Sequence, residues 1–123
     1  MRDDMVVAIS VLIVDDHPEF RAVASALLKA EGYEVAGEAA DGASAIDAVA
    51  ELRPRIVLLD IQLPDVDGFT VADRLAEVAD PPAVVLISTR DSSSYRRRLA
   101  RTSARGFISK SDLSGATLAA LVC

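Results

Sequence analysis

Six polar residues of this 123-residue chain stand directly behind short apolar runs, and their types suit one chemistry. Asp15 and Asp16 follow residues 11–14, Asp60 follows 56–59, Ser88 and Thr89 follow 84–87, and Lys110 follows 107–109. Gathered in one place they offer three carboxylates, two hydroxyls and an ammonium. Like charges do not collect unaided, because two carboxylates about 5 Å apart repel by roughly 3 kcal/mol at an effective dielectric near 20. A hard divalent cation such as Mg2+ removes that cost, since carboxylate oxygens are the ligands it prefers. The Lys110 ammonium can hold the oxygens of an incoming anion, and the Ser88 hydroxyl can donate to one. A carboxylate nucleophile in such company suits phosphoryl transfer to an aspartate. No general base is required, because the carboxylate is already ionised, and His17 is the only histidine.

Such a site needs a frame that brings distant residues together. Strand-like and helix-like stretches alternate along the whole chain. Residues 10–14, 34–38, 55–59, 83–87 and 105–109 read as strands, the first and third as continuous apolar runs buried on both faces, and 34–38 as an edge strand with alternating charge. Pro18 suits the first turn of a helix carrying Phe20, Val23, Leu27 and Leu28 at helical spacing, with Gly32 as its stop. Asp41 is placed to cap a second helix with Ala45, Val49 and Leu52 inward. Residues 64–68 (Pro-Asp-Val-Asp-Gly) are turn chemistry, followed by a helix with Val71, Leu75 and Val78 inward that Pro81-Pro82 ends. Residues 92–102 read as a polar, basic helix, and Ser111 or Asp112 as the cap of a last helix bearing Leu113, Thr117 and Leu121. Five βα units predict an α/β fold with a five-stranded parallel sheet and helices on both faces. In such sheets the working site lies at the carboxyl ends of the strands, where the six residues stand.

Composition sets the outer bounds. Hydrophobic residues make up 51% and charged residues 26%, the balance of an ordinary globular domain, and aromatic residues only 4%, so the core must be Val, Leu, Ile and Ala. The length predicts a single domain over residues 1–123, with its core at about 8–122. No apolar run approaches the roughly 20 residues of a membrane span, and the opening stretch with Asp3 and Asp4 does not read as a signal peptide. Cys123 is the one cysteine, which excludes an internal disulfide or a cysteine metal cluster and points to the cytoplasm. The net charge of −6 argues against direct nucleic-acid binding. Its distribution is uneven: residues 1–89 hold 17 acids and 6 bases, residues 90–123 hold 2 acids and 7 bases. Arg96, Arg97, Arg98, Arg101 and Arg105 read as a solvated face or as a basic surface for an acidic partner or a second copy.

The ordered set Val11-Leu-Ile-Val-Asp-Asp16, Leu58-Leu-Asp-Ile-Gln-Leu-Pro-Asp-Val-Asp-Gly68, Val84-Val-Leu-Ile-Ser88 and Gly106-Phe-Ile-Ser-Lys110 resembles the receiver domain of two-component response regulators. Its Lys-Ser-Asp ending resembles the branch often linked to helix-turn-helix output domains. The resemblance implies a flavodoxin-like (βα)5 fold and a phospho-acceptor switch that assists its own phosphorylation and dephosphorylation. It makes Asp60 the acceptor of a phosphoryl group from a sensor histidine kinase or phosphotransfer protein. It assigns Mg2+ to Asp15, Asp16, Asp60 and the Gln62 backbone carbonyl, and catalysis to Lys110 and Ser88. Ser88 and Phe107 would form the switch, Ser88 being preferred to Thr89 by its separation from Lys110. Gln62, Thr89 and Arg90 fall where phosphate lifetime is tuned. The kinase would dock along the first helix near Pro18, Phe20 and Arg21, and partners or a homodimer would use the face of the fourth helix and fifth strand.

The chain departs from the family in two places. Ser111 follows Lys110 where many receivers carry proline, so a cis bond there is not implied. Thr89 stands where a very small residue is usual, and is expected to slow access to the site. Two other functions compete. A receiver-like module could bind partners without phosphorylation, although the complete acid and lysine set argues against that. Asp65-Val-Asp-Gly-Phe-Thr70 resembles the aspartate motif of haloacid-dehalogenase-like phosphatases, but Gln62-Leu63-Pro64 separates it from the strand. Each residue alone has a plainer explanation: a capping turn for Asp15-Asp16, core for Phe107, a helix-start surface position for His17. Together, in register, they make a site.

Overall fold

The apolar runs become the middle of a parallel sheet in the computed structural model, which describes residues 8–122. Asp3, Asp4 and Cys123 lie outside the described residues. The strands are β1 (Ser10–Val14), β2 (Glu34–Ala39), β3 (Ile56–Asp60), β4 (Ala83–Ser88) and β5 (Gly106–Ser109). The helices are α1 (Pro18–Ala30), α2 (Gly42–Leu52), α3 (Gly68–Ala76), α4 (Arg96–Leu99) and α5 (Gly115–Val122). All strand pairs are parallel, in the order β2-β1-β3-β4-β5, the doubly wound flavodoxin-like arrangement. The charged, alternating β2 is an edge strand, as its sequence predicts. Its register with β1 shifts between Val11 and Leu12.

Period-two alternation distributes the central strands between two cores. Val11, Ile13, Ile56, Leu58, Val85 and Ile87 pack with Ala24 and Leu28 of α1 and Leu118 of α5. Leu12, Val14, Val57, Leu59, Val84 and Leu86 pack on the other face with Ala45 and Val49 of α2 and Phe69, Val71, Ala72 and Leu75 of α3. Both faces of β3 are therefore covered, which is why the run reads as continuously apolar. Gly32 adopts φ +95° just beyond α1, the left-handed conformation that a helix stop favours. Asp41 caps α2 by accepting from the Ser44 N–H at 2.8 Å.

Several inward assignments do not hold. Val23 is 64% exposed; Leu28 faces the core as its spacing predicts, but Ala24 and Ser25 take the place beside it that Val23 was expected to fill. Leu52 is exposed at the end of α2, and Val78 lies beyond the end of α3 and is also exposed. The helix expected over 92–102 is a 3-10 turn, Ser92–Tyr95, followed by the four residues of α4. Three successive serines and no continuous apolar stripe leave it little to bury. The last helix is capped by neither Ser111 nor Asp112, which form a 3-10 turn with Lys110. Ser114 caps it instead, its Oγ accepting from the Thr117 N–H at 3.0 Å while Thr117 Oγ1 accepts from the Ser114 N–H at 2.9 Å. Leu113 is buried ahead of the helix rather than on it.

Candidate functional site

Parallel register brings the strand ends to one rim. Leu59 pairs with Val14, Asp60 with Ile87, and Ser88 with Ser109. Beyond β1, the Asp15 N–H donates to Ala39 O at 3.0 Å and its carbonyl accepts from Arg21 Nη1 at 2.6 Å. Arg21 is held in turn by Glu38, with Nε 3.0 Å from Oε1. Behind Asp60, the Gly68 N–H donates to Ile61 O at 2.7 Å, closing the loop tightly. A Cβ at Gly68 would lie 2.5 Å from the Asp60 carbonyl oxygen, so only glycine lets α3 start this close to the strand. The same loop is tied to α2 through Asp65, whose carboxylate accepts from the Gly42 and Ala43 N–H groups at 2.8 and 3.0 Å. Those two bonds hold its carboxyl below the usual carboxylate range. Asp67 caps α3 by accepting from the Thr70 N–H at 2.9 Å. Both acids of the phosphatase-like motif are thus occupied as helix caps.

Inside this frame Asp15, Asp60 and Ser88 are buried. The Lys110 ammonium reaches 2.5 Å from Asp15 Oδ2 and 3.4 Å from Asp60 Oδ2, and lies 4.6 Å from the centre of the Phe20 ring. The Gln62 N–H donates to Asp60 Oδ1 at 3.3 Å. Burial pushes the Asp60 carboxyl up from its usual range; Lys110 pulls against it and the Asp15 charge reinforces it. Asp15, Asp16, His17 and Asp60 each offer a ligand atom, all within 4.8 Å of one another. Asp15 Oδ2 is buried and makes no hydrogen bond, its contact with Lys110 being an ion pair off hydrogen-bond geometry. Crowded hard carboxylate oxygens, two of them buried, are the donor set that a divalent cation such as Mg2+ fits.

Ser88 and Thr89 separate cleanly. Ser88 is buried at the end of β4, whereas Thr89, Arg90 and Gln62 are exposed around the rim. Phe107 is half-buried on the far side of the sheet from α1, its ring 6.2 Å from that of Tyr95. Of the α1 residues expected at a docking surface, Arg21 is committed to Asp15 and Glu38, and Phe20 is half-buried beneath Lys110. The basic segment is also partly engaged: Arg98 pairs with Asp67 at 3.0 Å and stacks 4.4 Å over the Phe69 ring, leaving Arg96 and Arg97 exposed.

Two residues of the site are not evident in the sequence. His17 does sit exposed before α1, but its Nδ1 lies 3.0 Å from a carboxylate oxygen of both Asp15 and Asp16. Its place directly after the acid pair was the available signal. Tyr95 reaches its hydroxyl to within 3.2 Å of Ser88 Oγ, and nothing in its spacing announces that.

The sequence profile of the family described as response regulator receiver domain matches residues 11–121. The transcription regulator BvgA of Bordetella pertussis is 36% identical over 102 residues, 83% of this chain and 49% of BvgA. The DNA-binding transcriptional activator EvgA of Escherichia coli is 31% identical over 110 residues, 89% of this chain and 54% of EvgA. The chain spans about half the length of these curated relatives. The signal receiver domain of NarL from Mycobacterium tuberculosis superposes with a TM-score of 0.82 at 31% identity, covering 94% of this chain and 98% of that one. Among the described residues no helix is long and apolar enough to cross a membrane. With the sheet order, the acid cluster and the lysine in place, the chain belongs to the response-regulator receiver domains of two-component signalling systems.

Proposed function

We propose that the chain takes a phosphoryl group onto Asp60 from the phosphohistidine of a sensor histidine kinase or phosphotransfer protein, and passes the change to an output domain or partner. The observation that carries this is the buried Asp60 carboxylate bridged to Asp15 by the Lys110 ammonium, with its carboxyl pushed up by burial. An ionised Asp60 oxygen attacks phosphorus; the O–P bond forms as the P–N bond breaks, and the electron pair leaves on the histidine nitrogen. Lys110 follows the transferring oxygens, and the Ser88 hydroxyl donates to one of them. Asp15, Asp16, Asp60 and the Gln62 carbonyl would hold Mg2+, with His17 at the edge of the set. The ion supplies neutralisation of the charge that gathers on the phosphoryl oxygens. Gln62, Thr89 and Arg90 ring the opening and control how water reaches the acyl phosphate.

The phosphate adds a charge of about −2 at the strand ends, which the Ser88–Phe107 pair converts into movement of α4 and β5. Arg96 and Arg97 on that face suit an acidic partner or a second copy. The domain itself does not bind nucleic acid, and it works in the cytoplasm. Incubation with a small phosphodonor and Mg2+, read by intact mass, should add one phosphoryl group to the native chain and none to Asp60→Asn. A native chain that stays unmodified would mean a module working without phosphorylation.

A further inference from the structure

Ser88 Oγ lies 3.2 Å from the Tyr95 hydroxyl and accepts from the Arg90 N–H at 3.1 Å. Ser88 is 1% exposed, so no water can replace a partner that it loses. Tyr95 closes the Ser92–Tyr95 turn that leads into α4, and its ring packs between two others, 5.9 Å from Phe69 and 6.2 Å from Phe107. Phe69 carries the Arg98 guanidinium, and Arg98 pairs with Asp67, the cap of α3. Tyr95 is therefore the point at which the Ser88 hydroxyl, the aromatic row and the basic segment meet.

We infer that Tyr95 is a positioning residue for Ser88, holding its hydroxyl toward α4 until the phosphate claims it. This deepens the proposed function and rests on Ser88 serving the phosphate. A serine hydroxyl has one proton to give. With Ser88 as the donor in its bond to Tyr95, that proton is already spent; a phosphoryl oxygen only accepts, so Ser88 must turn the proton from Tyr95 toward Asp60. The half-buried tyrosine then loses the partner that fixed its hydroxyl, and the turn Ser92–Tyr95 loses its one tie to β4 through a side chain among the hydrogen bonds described. Phosphate at Asp60 and the docked position of Tyr95 compete for the same atom. A turn of four residues followed by a helix of four is then held by the aromatic row and by the Arg98–Asp67 pair.

Tyr95→Phe keeps the ring and removes the competitor. Beryllium fluoride with Mg2+, a stable mimic of the acyl phosphate, is titrated and followed by fluorine NMR. The variant should bind it about three- to tenfold more tightly than the native chain, the size of one hydrogen bond. In a Ser88→Ala background the same substitution should change affinity by less than about twofold, because the shared atom is gone. The chain has two tyrosines and no tryptophan, so in Tyr33→Phe the emission comes from Tyr95 alone. Beryllium fluoride should change that emission, and Ser88→Ala should abolish the response. A mimic that binds with unchanged affinity in Tyr95→Phe and leaves the emission still would overturn the role of Tyr95 while leaving Asp60 as acceptor. A mimic that fails to bind the native chain at all would overturn both.

Discussion

Neutralising Asp60 should stabilise the protein. Asp60 and Asp15 are buried, and each has a ligand atom within 4.8 Å of the other and of Asp16. At an effective dielectric near 20, each such pair of charges repels by about 3.5 kcal/mol. The Lys110 ammonium, 3.4 Å from Asp60 Oδ2, returns about 5 kcal/mol on the same scale. Burial is the largest influence and disfavours the charged Asp60; Lys110 offsets part of it and the Asp15 charge adds to it, so the ionised form is left at a net penalty. Asp60→Asn keeps the shape, removes the charge and leaves Lys110 paired with Asp15. In Mg2+-free buffer with chelator the variant should melt higher than the native chain near neutral pH, by about 4–8 °C for about 1–2 kcal/mol. The sign follows from linkage. The folded-state carboxyl is raised above 3.8, so the ionised group opposes folding above its folded value. That penalty is relieved as pH falls through the raised value toward 3.8, so the gap between variant and native chain should close on acidification. Thermal melts followed by circular dichroism at several pH values test this. A variant less stable than the native chain at neutral pH, or a gap that ignores pH, would refute the electrostatic account of the site.

Three further outcomes follow from the same geometry. Gly68→Ala, which in an open helix would stabilise, should instead lower the melting temperature by about 4–12 °C, because its Cβ meets backbone atoms of Asp60 and Ile61 at 2.5 and 2.8 Å. It should also slow phosphorylation of Asp60. Asp65→Asn should destabilise near neutral pH, since the bonds from Gly42 and Ala43 hold the folded carboxyl below 3.8. That contribution is full above 3.8 and fades as pH falls through the folded value, so acid melts of the two chains should converge. Thr89→Ala should speed phosphorylation by a small phosphodonor, measured as the initial rate of mass gain; an unchanged rate would show that the threonine does not hinder entry.

Much of the frame is legible in local pattern. Buried strands such as residues 56–60 announce themselves because both faces are covered, so every position must be apolar until the chain leaves the sheet at Asp60. Asp41 is readable as a cap because its bond to the Ser44 N–H spans only three residues. The face of α1 is less so: Phe20 and Val23 look equivalent in spacing, yet small Ala24 and Ser25 occupy the close contact with the sheet. The segment 92–102 misleads for a related reason. Charge and helix-forming residues suggest a helix, but only Tyr95 and Leu99 pack against the core, too little apolar area to order a longer one.

For Asp60 and its neighbours the division is sharp. By itself the sequence determined the α/β class and the acids and lysine at strand ends, because these depend on residue type and on distances along the chain. Tertiary structure alone decided that Lys110 sits between Asp15 and Asp60, that Ser88 is inside while Thr89 is outside, and that His17 joins the acids. It alone placed the Tyr95 hydroxyl 3.2 Å from Ser88 Oγ. Those facts depend on through-space separations of a few ångströms and on what water is excluded from. Neither quantity is encoded in spacing; both arise only when five parallel strands end at one rim.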